Sequence, residues 1–368
     1  MKFLITIFFI FIFNINHTLS DNLYDALKIT YKNNKELNAE RENINIAEQD
    51  LKISKGSYLP TGTITGSKSQ QDTNKLTNQN GGDSSINDVD PLNTTIKLEQ
   101  TLIDFGRGAE LDKSKLGLIL SKEKLKKTEQ EIFYKAIEAY SNLIASSEKV
   151  KINEKNLNLL IGQVENDKTR LEIGQITLSD LSQSESSLAG AEAKNIKAMN
   201  DLTTSKLDYE NVIGKIINIE DLNKSLKPIS PLPISLNEAI QLSEKNNPDV
   251  IIAKIEYEQS EKDIKISKSD LAPTATLSIE RSNTEDFSST IDEKEQDSIK
   301  ATITWPFFSG GKNLAKVSKN QSEKIRKRLL LDNTIKSSKT SVASAWSNYQ
   351  TSESILASIR AQVNAAEI

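Results

Sequence analysis

Residues 50–60 read DLKISKGSYLP, and residues 263–273 read DIKISKSDLAP. The two stretches are identical at six of eleven positions and begin 213 residues apart in a chain of 368. The same offset aligns the apolar pattern of residues 23–27 with that of residues 236–240. Agreement over so many positions indicates an internal duplication, and a repeat of this kind has to be recognised before local structure is considered.

Beyond the proline that ends each stretch, the offset between the two repeats is smaller: it is first 205 and, further along the chain, 206. Residues 102–107 align with residues 307–312, and the Ala-Tyr-Ser-Asn of residues 139–142 aligns with the Ala-Trp-Ser-Asn of residues 345–348. Each repeat reads as helix, proline, strand, polar loop, strand, glycine turn and long helix. The predicted helix–strand junctions are Pro60 and Pro273, and the predicted strand–helix turns are Gly106, Gly310 and Gly311.

The chain divides into four predicted regions. Residues 1–20 are expected to form a signal peptide, because Lys2 precedes a short apolar run that is followed by small residues. An uncleaved N-terminal anchor is the alternative for this segment. The first repeat covers residues 21–225, a proline-containing linker covers 226–235, and the second repeat covers 236–368.

Composition excludes several classes of function. The chain has 47 Lys and Arg against 51 Asp and Glu, a net charge of −4, which argues against a nucleic-acid partner. It has no cysteine, and its only histidine, His17, lies in the predicted leader. The mature chain therefore lacks the residues of common zinc sites and of a histidine-based triad. We expect no enzymatic activity and no cofactor.

Alternating polar and apolar residues predict four strands, at about 61–70, 93–103, 274–283 and 298–308. In the last strand the apolar residues Ile299, Ala301 and Ile303 alternate with polar ones. No other stretch is apolar over the roughly 18 residues of a membrane helix, so any insertion into a membrane would require a β-barrel. Four strands cannot close a barrel, whose lower limit is about eight, so several chains would have to share one. An ordinary two-hairpin sheet packed on helices is the alternative.

Two polar segments are expected to form exposed loops of this sheet. They are residues 66–93 and the acidic stretch Asp292 to Asp297. Trp305, Phe307 and Phe308 are expected to form an aromatic girdle at a membrane interface.

The remaining sequence predicts very long helices. No proline occurs from Gly108 to about Arg170, and apolar residues recur there at helical spacing. A helix of about 60 residues would be roughly 90 Å long, which suits a coiled-coil assembly better than a compact domain. A return helix is expected from about Thr177. A soluble coiled-coil rod would explain these helices equally well, but it would not explain the strands.

The order of the elements and the turn sequences resemble the TolC-like outer membrane efflux protein family. The strand-to-helix segments at residues 98–107 and 305–312 are similar to that family's apolar strand ending in a Gly-Gly or Gly-Arg turn. The segment Arg170-x-x-x-Gly174-x-x-Thr177-Leu178-Ser179-Asp180 resembles the turn at the periplasmic tip of the family's helical hairpins, although Gln175 stands where the family usually has an apolar residue.

The resemblance implies a mainly α fold with four β-strands, assembled as a homotrimer. The three chains would form an outer-membrane β-barrel of twelve strands, continued by a periplasmic α-helical barrel. The protein would be the exit duct of a tripartite efflux pump or type I secretion system in the outer membrane of a Gram-negative bacterium. Its partners would be a periplasmic adaptor (membrane fusion) protein, an inner-membrane transporter and the lipid of the outer membrane.

The resemblance also implies roles for individual residues. The pore would be lined by Lys97, Glu99, Lys300, Thr302 and Thr304. Contact with the adaptor would involve Arg170, Gly174, Leu178 and Asp180. A periplasmic coiled-coil adaptor or structural rod without membrane insertion is the alternative function.

The second repeat is shorter than the first. At an offset of 206, Ile368 falls opposite Gly162, so residues 163–214 of the first repeat have no counterpart. We expect the chain to be a fragment, with a shortened variant as the alternative, and no gate residue is assigned.

Overall fold

The computed structural model describes residues 22–71, 89–216, 219, 222–223, 232–288 and 291–366. The predicted signal peptide, most of the first predicted loop and most of the linker lie outside the described residues. The helices are α1 (Leu23–Asn33), α2 (Lys35–Gly56), α3 (Arg107–Glu172), α4 (Leu178–Ile213), α5 (Leu236–Asn246), α6 (Pro248–Ser269) and α7 (Lys312–Ala366). The strands are β1 (Thr61–Lys68), β2 (Leu92–Ile103), β3 (Thr274–Ser288) and β4 (Ile291–Thr304).

Short polar residues mark where the helices begin. The side chains of Asn22, Ser235 and Asn247 accept hydrogen bonds from the first turns of α1, α5 and α6. Pro248, whose missing N–H is not needed in a first turn, follows the cap of α6. The two long helices contain 66 and 55 residues, so α3 is roughly 100 Å long at 1.5 Å per residue. Nowhere in the described chain is there a helix both long and apolar enough to cross a membrane.

The chain forms two compact units. The first comprises Met1–Ala39 and Thr128–Leu232. Its core is formed by α1, the later part of α3 and α4, around the fully buried Tyr140 and Tyr209, whose ring centroids are 6.3 Å apart. The Tyr140 hydroxyl donates to the Asn223 carbonyl at 2.9 Å, so this buried polar group is satisfied.

The second unit comprises Glu40–Lys127 and Pro233–Ile368 and contains all four strands. They form one antiparallel sheet in the order β1-β2-β3-β4, with a bulge in β2 between Thr101 and Ile103. Below the sheet, α6 is joined by ion pairs to both α3 and α7, with Lys113–Asp263 at 2.6 Å and Lys327–Glu256 at 2.7 Å as examples.

The predicted loop at Asp292–Asp297 is wrong, because this stretch belongs to β4. The carboxylates of Glu295 and Asp297 lie 3.2 and 3.8 Å from the guanidinium of Arg281 on β3. Asn283 also donates to Glu293 at 2.9 Å. Opposite charges across a strand pair stabilise the sheet, so the acidic stretch continues the hairpin instead of ending it.

The predicted end of the last strand is also wrong. β4 ends at Thr304 and not at residue 308. Pro306, two residues after Thr304, has no backbone N–H to donate to a neighbouring strand. Trp305, Phe307 and Phe308 therefore lie after the strand. Similarly, residues 66–68 and 92–93 of the first predicted loop belong to β1 and β2.

Candidate functional site

The sheet has one entirely polar face. Directly paired residues of an antiparallel sheet share a face, and one such row is Thr63, Lys97, Glu280 and Ser298. The next row contains Glu99 and Lys300, each paired with Ser278. The other positions of this face are also polar: Thr61, Thr65, Ser67, Asn93, Thr95, Thr101, Thr274, Thr276, Ser282, Thr284, Lys294, Gln296, Thr302 and Thr304. All five predicted pore residues thus share this face.

The opposite face carries an apolar band that none of the described helices covers. Its central row is Gly62, Leu98, Ile279 and Ile299. The isoleucines of the two edge strands are the most exposed, with Ile64 and Ile299 each 77% exposed. A continuous apolar surface of this kind is unfavourable in water and marks an interface with lipid or protein.

The polar face is the less exposed of the two along β2. Lys97 and Glu99 are partly buried, whereas Ile96 and Leu98 between and beside them are 54% and 46% exposed. Lys97 forms an ion pair with Glu99 and faces Glu280. The apolar face therefore is the open, outward one, and the polar face presents charges of both signs.

Sequence reasoning missed the polar end of the outward face. Toward the β3–β4 hairpin this face changes from isoleucine to Arg281, Asn283, Glu295 and Asp297. The sequence gives no signal for this end of the sheet, because the alternation of apolar and polar residues in β3 stops at Ile279 and residues 280–286 are all polar.

Large aromatic side chains follow the strands at the other end of the sheet. Trp305, Phe307 and Phe308 are 62%, 84% and 79% exposed. The indole Nε1 of Trp305 donates to the Leu271 carbonyl at 3.0 Å, which fixes this ring beside the end of α6. Phe105, which is 65% exposed and follows β2 at the same end, was not predicted.

The predicted turn residues occupy the junctions between helices and strands. Pro60 and Pro273 directly precede β1 and β3. Gly310 and Gly311 have φ of +60° and +81°, in the left-handed region that favours glycine, just before α7 begins. At Gly106 the reason is space, because a Cβ there would collide with the Ser269 side chain at the end of α6.

The turn between α3 and α4 is closed by backbone and side-chain caps. Gly174 has φ of +74°, and the amide of Gln175 donates to the Arg170 carbonyl at 2.8 Å, as in a Schellman motif. Thr177 and Asp180 form a reciprocal capping box at the start of α4. These hydrogen bonds from the Thr177 backbone and hydroxyl lower the pKa of Asp180 below its ordinary value.

This turn exposes two large apolar side chains among polar ones. Ile173 and Leu178 are 64% and 69% exposed on either side of it. Behind it, the Ser184 hydroxyl donates to the buried carboxylate of Asp167 at 2.7 Å and links α4 to α3. The four predicted tip residues, Arg170, Gly174, Leu178 and Asp180, all lie at this turn. Ile173 was not among them.

Among the described residues, no three His, Cys, Asp or Glu side chains are grouped so as to hold a metal ion.

Comparison with known proteins gives a consistent result. The family model described as outer membrane efflux protein matches residues 26–215 and 239–368. The outer membrane efflux protein BepC of Brucella suis biovar 1 is 26% identical over 356 residues, which cover 95% of this chain and 74% of BepC. The alkaline protease secretion protein AprF of Pseudomonas aeruginosa is 22% identical over 281 residues, covering 74% of this chain and 57% of AprF.

The fold is shared with solved channels. The open state of the MtrE outer membrane channel of Neisseria gonorrhoeae superimposes with a TM-score of 0.72 at 17% identity. This superposition covers 92% of the present chain and 76% of MtrE. At that identity the likeness establishes the fold alone.

Proposed function

Because this chain belongs to the outer membrane efflux protein family, we propose that it is a passive exit duct for efflux or type I secretion in the outer membrane of a Gram-negative bacterium. The observation that carries the proposal is the four-stranded sheet, which is wholly polar on one face and exposes an apolar band on the other. Transmembrane barrels with a wet interior need this alternation, with apolar residues toward lipid and polar residues toward the lumen.

The sheet has to be completed by other copies of the chain. Within the described residues, β1 and β4 each pair with a single strand and leave an open edge. Open edges do not occur in lipid, because every backbone polar group must be satisfied internally. Four strands are also too few to close a barrel. A homotrimer, as the family resemblance implies, would join β1 of one copy to β4 of the next in a barrel of twelve strands.

The lumen of such a barrel would be hydrated and carry both charges. Lys97, Glu99, Glu280 and Lys300 would all face it, with the threonines and serines of the polar face between them. We place the energy source for transport in a partner, as the family resemblance implies. We assign no catalytic activity and no cofactor to this chain.

The α3–α4 turn is the proposed contact with a periplasmic adaptor, which would connect the duct to an inner-membrane transporter. The exposed Ile173 and Leu178 supply apolar contact area, and the caps at Gly174 and Asp180 hold the turn in one conformation. The adaptor is expected to bind a surface of this kind, since protein interfaces concentrate around exposed apolar anchors with a polar rim.

Cysteine labelling tests the proposal directly, because the chain has no native cysteine. Adjacent substitutions Lys97→Cys and Leu98→Cys place one thiol on each face of β2. In outer membranes, a charged, membrane-impermeant maleimide should label Lys97→Cys and leave Leu98→Cys unlabelled. Lys300→Cys and Ile299→Cys form a second matched pair on β4.

The same membranes test the rod alternative. The channel should fractionate with the outer membrane and migrate as an oligomer before heating and as a monomer afterwards. Equal labelling of both thiols in each pair, together with recovery in the soluble periplasmic fraction, would refute the duct and favour the rod.

A further inference from the structure

The helix α6 is held by ion pairs on two sides. Toward α3, the Nζ of Lys113 lies 2.6 Å from the Asp263 carboxylate. Toward α7, the Nζ of Lys324 lies 2.7 Å from the Glu261 carboxylate. Most of α6 is consequently buried or partly buried. An inner position of this kind is not available to α2, the helix that corresponds to α6 in the first repeat.

The proposed duplication relates the residues of these contacts. At the offset of 213, Asp263 of α6 corresponds to Asp50 of α2. At the offset of 206, Lys113 of α3 corresponds to Lys319 of α7. This second register agrees with the packing, since the corresponding Ile132 and Ser338 are both buried, at 3% and 9% exposure. Both members of the Lys113–Asp263 ion pair thus have a counterpart of the same charge in the other repeat, namely Lys319 and Asp50.

The two counterparts lie on uncovered helix faces. Neither Asp50 nor Lys319 forms an ion pair with any other residue that the structure describes. On α2, Ile46 and Ile53 beside Asp50 are 58% and 70% exposed. Their counterparts on α6, which are Gln259 and Ile266, are partly buried. The face of α2 that corresponds to the α3-facing side of α6 is therefore exposed.

We infer that α2 of one copy packs beside α7 of the next copy, and that Asp50 and Lys319 form the ion pair between them. The inference rests on the proposed multi-copy channel and names a contact within it. Opposite charges at corresponding positions supply the complementarity, and the partner is a second copy because its α7 presents the counterpart of the α3 face that α6 contacts. The sheet agrees, since its open edges belong to β1 and β4, which directly follow α2 and precede α7.

Cross-linking tests the contact in the full-length protein. Lysine and aspartate reach each other across a gap too wide for a disulfide, so a short bifunctional maleimide is the appropriate reagent. The double variant Asp50→Cys/Lys319→Cys should give covalent dimers and trimers on denaturing gels. Co-expressed single variants should give dimers only, and each single variant alone should give none.

The pair inside the chain is the matched control. Lys113→Cys/Asp263→Cys should consume both thiols while the product stays monomeric. If that control reacts but Asp50→Cys/Lys319→Cys forms no adduct, or an adduct within one chain, the inference is overturned. A heat-sensitive oligomer and face-specific labelling of β2 in the same membranes would leave the proposed function standing.

Charge reversal provides a second readout. Lys319→Glu should reduce the fraction of protein that migrates as the heat-sensitive oligomer. Asp50→Lys combined with Lys319→Asp should restore that fraction, which a purely local effect on either helix would not do. A double variant as weak as the single one contradicts the pairing.

Discussion

At Gly106 the chain passes from β2 into α3 with no room for a side chain. A Cβ built there would overlap the Ser269 side chain, whereas one at Gly108 comes no closer than 3.9 Å to its nearest neighbour, the Tyr58 hydroxyl. Gly106→Ala should therefore destabilise the protein by about 1–3 kcal/mol through overpacking. Gly108→Ala should be neutral or stabilise it by up to about 1 kcal/mol, because alanine favours a helix.

Urea unfolding of the purified protein measures both variants. Ser269→Ala removes the hydroxyl that Gly106→Ala would meet first and should recover part of its lost stability. Equal midpoints for Gly106→Ala and Gly108→Ala would show that close approach to α6 is not what requires the glycine.

The capping box at the α3–α4 turn makes that turn sensitive to acid. The folded state holds the pKa of Asp180 below its ordinary value of 3.8, chiefly through hydrogen bonds from the Thr177 backbone and hydroxyl. A depressed carboxyl pKa contributes stability that is present above the unfolded pKa and is lost as the pH falls through the folded one. Amide protection in the first turn of α4 should therefore fall on acidification below about pH 4.

Hydrogen exchange at the amides that follow Thr177 provides the measurement. Asp180→Asn should abolish the acid-dependent loss of protection, and Thr177→Ala should weaken the first turn at every pH, by about 1 kcal/mol. Persistence of the same pH dependence in Asp180→Asn would assign it to another group.

Lysine substitutions at neighbouring positions of β4 test whether the two faces of the sheet meet different environments. Ile299 lies in the outward apolar band and Ser298 lies on the polar face opposite Glu280. Ile299→Lys places a charge toward lipid and should cost about 2 kcal/mol or more, depending on depth. Ser298→Lys adds the same charge next to a carboxylate and should be tolerated.

The amount of heat-sensitive oligomer in outer membranes measures both lysine variants. Ile299→Lys should lower it markedly relative to Ser298→Lys. Equal losses would mean that both faces of β4 meet the same environment, which is incompatible with a barrel wall.

The positions of the four strands could be predicted from sequence because alternation is a local signal. The side-chain faces followed from it, and the register places Lys97, Glu99 and Lys300 on one face of the sheet. Their role in lining a pore stays a prediction. The extension of the hairpin to Ser288 and Ile291 could not be predicted, because it depends on pairing Arg281 with carboxylates of another strand. Such pairs become visible only once the register of the sheet is known.

The caps of the α3–α4 turn were predictable for the same reason. Gly174, Thr177 and Asp180 act on neighbours within a few residues, so their spacing alone indicates the turn. The close approach that requires Gly106 was not visible in the sequence, since Ser269 is distant along the chain. The sequence predicted a strand–helix turn at Gly106, and the steric reason for the glycine is seen only in the structure.

At the scale of the whole molecule, the family predicted from the turn sequences is confirmed by the match of its model to most of the chain. Contact with neighbouring copies would explain both the open sheet edges at β1 and β4 and the exposed faces of α2 and α7. In the predicted duplication each repeat supplies two strands with flanking helices, and copies placed side by side would continue the alternation of repeats around a closed ring. The proposed trimer would thus extend the duplication that the sequence predicts inside the chain.

In the proposed closed ring every residue of the polar face would occur once per copy, so a single substitution would add a ring of charge to the lumen. Lys300→Glu should shift the channel toward cations, because the added carboxylates raise the local concentration of positive ions within about a Debye length. Reversal potentials in planar bilayers under a salt gradient measure this shift, which should shrink as the salt concentration rises. Lys68→Glu makes the same change of charge on the outward face and should leave the reversal potential unaltered. Equal shifts for the two variants would mean that the polar face does not line the conducting path.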